Sequence, residues 1–330
     1  MRQLITMILS LVLLVAVYGC GGAGGGGTAE PDSTEDFTYE NIDFVIIPSG
    51  SFSMGGSSII NDTPTVSVSM SSFKISVYEI TNEQYVNFLN SAYADGWVEV
   101  EHRLFNDVCG SYYNYVAISA GNAPYPGYMM IQFAEDGGCT SLGEPEHEDN
   151  RSWIAFDSDS SEFILLDNSK ADWPVNWVKW YGAFTFARYY EANLPTEAQW
   201  EYAARANRAL EYATNDGTLN SENANYNGDI AGVYNPDGHV MEVGSFAANP
   251  FGLYDMSGNV WEWCLDYYDP YYYISGRMDP VNLDPGTNAK RVKRGGSWNY
   301  HSTALLNSSR SSDYENRGNN HFGFRIVIND

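Results

Sequence analysis

Four cysteines, five histidines and a long run of hydroxyl, amide and carboxylate side chains are the groups in these 330 residues that could do chemistry. Of the thiols, Cys109 and Cys139 could pair as a disulfide in an exported chain, and Cys264 is the odd one out, set in the Trp-rich, core-like run Trp261-Glu262-Trp263-Cys264, whose tryptophans read as core anchors. The histidines, at 102, 147, 239, 301 and 321, show no short spacing that would hold a metal. No phosphate loop, serine nucleophile elbow or dinucleotide fingerprint is present. What remains is recognition chemistry, concentrated from Trp298 to Arg325. There Asn299, Tyr300, His301, Thr303, Ala304, Asn307, Asp313, Tyr314, Asn316, Gly318, Asn319, Asn320 and His321 are candidate ligand contacts. The composition is that of a paratope, because Tyr supplies large contacts at low entropic cost while Ser, Asn and Gly adapt their hydrogen bonds.

Such residues need a scaffold, and the chain's ends say where that scaffold would be delivered. Arg2 and the apolar run from Leu4 to Val17 read as an export signal, too short to span a bilayer. Val17-Tyr18-Gly19-Cys20 resembles a bacterial lipobox, so residues 1–19 are expected to be removed and Cys20 acylated, anchoring the chain to a membrane. Residues 20–36, rich in glycine, then form a tether. With 17 basic against 42 acidic residues and a net charge of -25, nucleic acid is excluded as a partner.

Residues 37–330 are long enough for one large domain. Phe44 to Ile47 reads as a buried strand, and Val66, Val68 and Met70 alternate with serines as a strand with one wet face. Thr81 with Gln84, and Thr196 with Gln199, are capping boxes that open helices. Periodicity weakens over 92–172, which reads as an insertion with short strands near Trp153 to Phe156 and Phe163 to Leu166. A last strand is expected where Phe322, Phe324, Ile326 and Ile328 alternate with Gly323, Arg325 and Val327. Short strands, two capped helices and long irregular loops predict an α+β domain.

Seven phrases occur in an order that resembles the formylglycine-generating-enzyme (sulfatase-modifying factor) family: IPSGSFSMG from Ile47, YEITNEQYVNFLN from Tyr78, PVNWVKW from Pro174, LPTEAQWEYAAR from Leu194, NPFGLYDMSGNVWEW from Asn249, RVKRGGSW from Arg291 and GFRIV from Gly323. The resemblance implies a C-type-lectin-like fold in which the N- and C-terminal strands pair. It also implies where catalytic thiols would stand, shortly after Gly295-Gly296-Ser297, and those positions hold Tyr300 and Leu305. Copper binding and formylglycine formation are therefore not expected, since no other side chain replaces a thiolate pair. Calcium is: the resemblance carries one ligand set onto Asp255, Gly258, Val260 and Glu262, and a second onto Asn225, Tyr226, Asp237 and His239. Loop-fixing hydrogen bonds are the alternative role for both sets.

The C-terminal segment further resembles variable proteins of diversity-generating retroelements, in particular the treponemal variable lipoproteins. In these, Asn codons are rewritten at scattered sites; randomising their first two positions cannot yield Lys, Met, Trp, Gln or Glu. Only Glu315 between Asn299 and His321 belongs to that excluded set, so it would be fixed, with Arg310, Arg317, Phe322 and Arg325 as scaffold. An ordinary Asn-rich loop is the alternative. The reading that follows is a lipoprotein on the outer surface, presenting a diversified binding site for a protein ligand. A family enzyme with altered chemistry and a passive envelope component are the other two readings.

Overall fold

The computed structural model describes residues 41–56, 63–107, 110–131, 152–227, 238–287 and 289–329. Cys20, Cys109, Cys139 and Asp237 lie outside them, and so does the Cys109 to Cys139 pairing.

Three small sheets carry the fold. Strands β1 (Phe44–Ile47) and β4 (Phe73–Ser76) pair antiparallel, and β4 pairs on its other edge with β14 (Val327–Asn329). The first and last strands thus share a sheet with β4 between them, instead of pairing directly as the resemblance implied. The second sheet joins β2 (Gly50–Gly56), β3 (Thr63–Met70) and β10 (Arg277–Met278). Its alternation is the expected one: Phe52, Met54, Val68 and Met70 are buried, while the Ser51 and Ser69 hydroxyls meet at 2.8 Å on the wet face. The third sheet, in the order β12 (Ser311–Tyr314), β11 (Lys290–Arg294), β9 (Trp261–Tyr267), β13 (Phe322–Gly323), carries the candidate site.

Three longer helices flank the sheets: α1 (Asn82–Ala94), α2 (Trp180–Tyr189) and α3 (Glu197–Arg205). Both expected capping boxes form, with Gln84 N–H donating to Thr81 Oγ1 at 3.3 Å and Gln199 N–H to Thr196 Oγ1 at 3.1 Å. A short helix, α4 (Ser302–Leu305), opens the C-terminal segment. Within the insertion, the hairpin of β7 (Ile154–Asp157) and β8 (Glu162–Leu165) packs on α1. A longer hairpin, β5 (Val98–Asp107) with β6 (Gly110–Ser119), was not anticipated, although Val98 and Val100 alternate with Glu99 and Glu101.

Two large apolar clusters, and a small third one of Val240, Val260 and Trp298, fill the interior among the described residues. One gathers Tyr85, Phe88, Trp180, Phe186, Trp263 and Phe324 between α1, α2 and the third sheet. The other gathers Ile47, Val68, Phe73, Trp200, Cys264 and Val292 around α3. Strand β9 runs between them, so its successive side chains enter opposite clusters. The C-terminal run is not one strand: β13 and β14 belong to different sheets, and every residue from His321 to Val327 is buried. Arg325 can be buried there because Glu262 neutralises it, with guanidinium to carboxylate contacts of 2.7 and 2.9 Å.

A candidate binding face on the third sheet

In the third sheet Lys293 lies opposite Trp263 on one side and Ser311 on the other, and Arg291 lies opposite Tyr267 and Asp313. Residues paired in register share a face, so one face gathers two cations, aromatic rings and a carboxylate. Lys293 Nζ sits 3.3 Å from the centre of the Phe322 ring and 3.4 Å from Asp313 Oδ2. Burial pushes its ammonium down to about 7, with Asp313 pulling the other way. Arg291 is stacked between Trp180 at 3.7 Å and Tyr267 at 3.5 Å. Its Nε donates to Glu315 at 2.8 Å, and the Tyr181 and Tyr267 hydroxyls donate to the same carboxylate at 2.8 Å each. Glu315, the position expected to be fixed, is thus the peg that holds the end of β12. Lys179, at the start of α2, donates to Asn316 O at 2.7 Å.

Beside this array a cavity of about 300 Å³ opens between Trp261, Tyr268 and Tyr300. Tyr300 stands edge-on to Trp261, 5.2 Å between ring centres. Burial and the nearby Asp313 push the Tyr300 hydroxyl above its ordinary pKa.

Of the candidate contacts, Tyr300, Tyr314 and Asn316 are exposed, and Asn299, His301, Thr303, Asp313, Asn319 and Asn320 are partly so. Four others do not present a variable side chain to a ligand. Ala304 is buried. Asn307 is wholly buried, its carbonyl accepting from Arg294 and its amide donating to Leu210 O. At Gly318 a Cβ would lie 2.2 Å from the Trp177 carbonyl oxygen, so no larger residue fits without moving backbone. His321 is buried between Tyr300 and Phe322, where desolvation and Lys293 push its imidazole well below its ordinary pKa. Conversely Arg317, assigned to the scaffold, has a side chain 66% exposed. Lys293, Trp261 and the serines of β12 were missed as site residues. The clue was the run Lys290-Arg291-Val292-Lys293-Arg294, a dense basic patch in an acidic chain.

The first calcium set does not fit the cation. Both Glu262 oxygens are engaged, by Arg325 and by the Trp200 indole N–H at 2.7 Å. Asp255 Oδ2 accepts from Gly244 N–H at 2.6 Å, and burial pushes its carboxyl up to about 6. Among the described residues no three His, Cys, Asp or Glu side chains converge on a point that could hold a metal. In the second set Asn225 Nδ2 reaches the His239 carbonyl at 2.9 Å, so these two, with Tyr226 adjoining, do come together.

At the expected thiol positions, Tyr300 is exposed and Leu305 fully buried. Cys264, the one cysteine among the described residues, is fully buried as its tryptophan-rich setting suggested. Burial and the neighbouring Glu197 push its thiol well up, away from a reactive thiolate.

Residues 29–330 match the sulfatase-modifying factor enzyme 1-like domain, and the chain belongs to that family. It is 31% identical over 304 residues to the formylglycine-generating enzyme of Streptomyces coelicolor, covering 86% of this chain and 88% of that one. The chain spans 38% of the length of the serine/threonine-protein kinase pkn1 of Chlamydia pneumoniae, to which it is 28% identical. Among solved structures, PvdO from Pseudomonas aeruginosa aligns with a TM-score of 0.58 at 20% identity, over 88% of this chain and 95% of that one. Treponema denticola variable protein 1 aligns with a TM-score of 0.54 at 19% identity, over 89% and 98%. The fold is α+β and C-type-lectin-like, of the formylglycine-generating-enzyme type, and the family includes enzymes.

Proposed function

We propose that this chain is a binding member of its family, a lipoprotein anchored through Cys20 that presents a diversified face to a protein ligand and does not make formylglycine. One observation carries the reading: where the family's chemistry calls for two thiols, the chain places an exposed tyrosine and a buried leucine, in the same segment as the exposed Tyr314 and Asn316 and the partly exposed Asp313, Asn319 and Asn320. Chemistry needs the thiols, whereas recognition needs varied side chains on a firm backbone. Glu315 supplies the firmness, through three hydrogen bonds from elements outside the segment. A shallow Tyr- and Asn-rich surface suits an epitope better than a small molecule.

Two experiments test this. The purified protein, given copper, oxygen and a cysteine peptide, is expected to leave the peptide unchanged by mass spectrometry; turnover above an enzyme-free control would overturn the non-catalytic reading. Sequencing the gene across isolates is expected to show changes gathered at Asn299, Tyr300, His301, Thr303, Asp313, Tyr314, Asn316, Asn319 and Asn320. Changes spread evenly along the chain would remove the case for diversification.

A further inference from the structure

The wet face of the second sheet gathers hydrogen-bond donors in a cleft that shares no residue with the cavity at Tyr300. Strand β2 sets Ser51 opposite Ser69 of β3, and Ser53 opposite Ser67, so two neighbouring cross-strand pairs of hydroxyls lie side by side. Ser51 and Ser69 are hydrogen-bonded to each other at 2.8 Å. Ser53 and Ser67 are exposed, and their hydroxyls can turn toward a ligand. Helix α3 packs on the same two strands, and the chain leaves it through two successive left-handed residues, Ala206 (φ 47°) and Asn207 (φ 52°). That conformation is disfavoured for a residue with a Cβ, and here it brings Asn207, Arg208 and Ala209 out, exposed, along the serine rows. The cleft between them measures about 370 Å³, and Ser51, Ser53, Ser67, Arg205, Asn207 and Arg208 line its polar side.

The charge in this cleft is uncompensated. Among the described residues, Arg208 is the one lysine or arginine whose side chain makes no ion pair, hydrogen bond or ring contact. In a chain with 42 acidic residues against 17 basic ones, a cation left without a carboxylate runs against the composition. Arg205 beside it is different. Glu201 pairs with it, and Leu210 O and Gly55 O accept from its terminal nitrogens, so it walls the cleft without lending it charge. No Asp or Glu lines the cleft, so nothing in its wall would repel an anion.

We propose that this cleft binds an oxyanion, the phosphate or sulfate group of a sugar-sized ligand. The planar Arg208 fork takes two of the anion's oxygens, as guanidinium groups do with phosphate. The Ser53 and Ser67 hydroxyls and the Asn207 amide donate to the remaining oxygens or to hydroxyls on the body of the ligand. A volume of about 370 Å³ is more than the anion alone would fill and lies within the range of small-molecule sites. The site is independent of the third-sheet face and of whether that face varies.

The test is an NMR titration of the 15N-labelled full-length protein with glucose 6-phosphate, glucose 6-sulfate and glucose, the ionic strength held constant with sodium chloride. The two esters are expected to give saturable shifts at the amides of Ser53, Ser67, Asn207 and Arg208, and glucose none. Arg208→Ala should weaken the esters about tenfold, because hydrogen bonds to a charged group are among the stronger ones. Arg208→Lys should restore part of the loss, since it keeps the charge and loses the fork. Both variants should melt at the native temperature, because the Arg208 side chain has no contact in the fold to lose. A pH series separates the two sources of the anion. A phosphate ester gains its second charge near about pH 6 and should tighten through that range, whereas a sulfate ester should not change. Tightening that leaves the phosphate ester the stronger ligand assigns the site to phosphates, and a sulfate ester that stays the stronger assigns it to sulfates; both uphold the oxyanion site. Shifts that fail to saturate, that sodium chloride alone reproduces, or that persist unchanged in Arg208→Ala would overturn it.

Discussion

The two sides of strand β9 differ in how they tolerate change. On one side Trp261, Trp263 and Tyr267 stand under a face that ends in exposed Tyr300, Tyr314 and Asn316. On the other, Glu262 and Asp266 face a closed interior where carboxylates and guanidinium groups neutralise each other. There Glu262 pairs with Arg325, Glu197 with Arg310, and Glu201 with Arg294, all nearly or fully buried. A buried ion pair is unforgiving, because removing one partner strands the other charge away from water. An exposed amide or phenol has no such dependant. The same seven-residue strand therefore separates a side built to stay from a side free to vary.

The sharpest way to break this contrast is to remove one guanidinium from the closed side. Arg325→Ala is expected to cost roughly 3 to 5 kcal/mol in chemical denaturation, as for other broken buried pairs, or to prevent folding outright. A loss near zero would show that water reaches Glu262 and that the closed side is not closed. Next come two large apolar residues of the interior. Trp298→Ala and Phe324→Ala should each cost about 3 to 5 kcal/mol, since these side chains are 2% and 0% exposed and leave a cavity.

A pH series sharpens the comparison. Burial, together with the nearby Glu197, raises the Asp266 carboxyl to about 7, so the fold favours its neutral form. The stability this contributes is complete below the ordinary Asp value of about 4 and is lost as pH rises through 7. Relative to Asp266→Asn, the native protein should lose stability between pH 4 and pH 8 in urea titrations. A parallel pair of curves would mean that Asp266 is charged and compensated throughout. The smallest effects belong to the exposed side: alanine at Tyr300, His301, Tyr314 or Asn319 should shift stability by about half a kcal/mol each. His321→Ala is the internal control, expected to cost clearly more because the ring is buried between two aromatic neighbours.

Much of this was legible in the sequence where a local rule acts alone. Thr81 and Thr196 announced their helices because a capping box is completed within four residues. Trp263 and Cys264 read as core from their setting, and they are. What failed to show was anything decided by a distant partner. Gly318 belongs to a loop that reads as variable, but the Trp177 carbonyl leaves no room for a side chain. His321 looks like a contact residue until β13 pairs with β9 and folds the ring under Tyr300. Glu262 fits a ligand phrase, yet Arg325, sixty-three residues on, claims both of its oxygens. The alternation from Phe322 to Ile328 suggested one strand because periodicity cannot show the chain passing from one sheet to another.

The bonds that fasten the C-terminal segment to the approach to α2 also bear on the rate of encounter. Trp180 N–H donates to Glu315 O at 3.2 Å and Trp177 N–H to Asn319 O at 2.8 Å, so the backbone around Asn316 and Arg317 is clamped at both ends. These amides should exchange with deuterium slowly, at the pace of sheet opening. If the proposed ligand meets this preformed surface, it waits for no loop to rearrange, and its association should follow simple one-step kinetics.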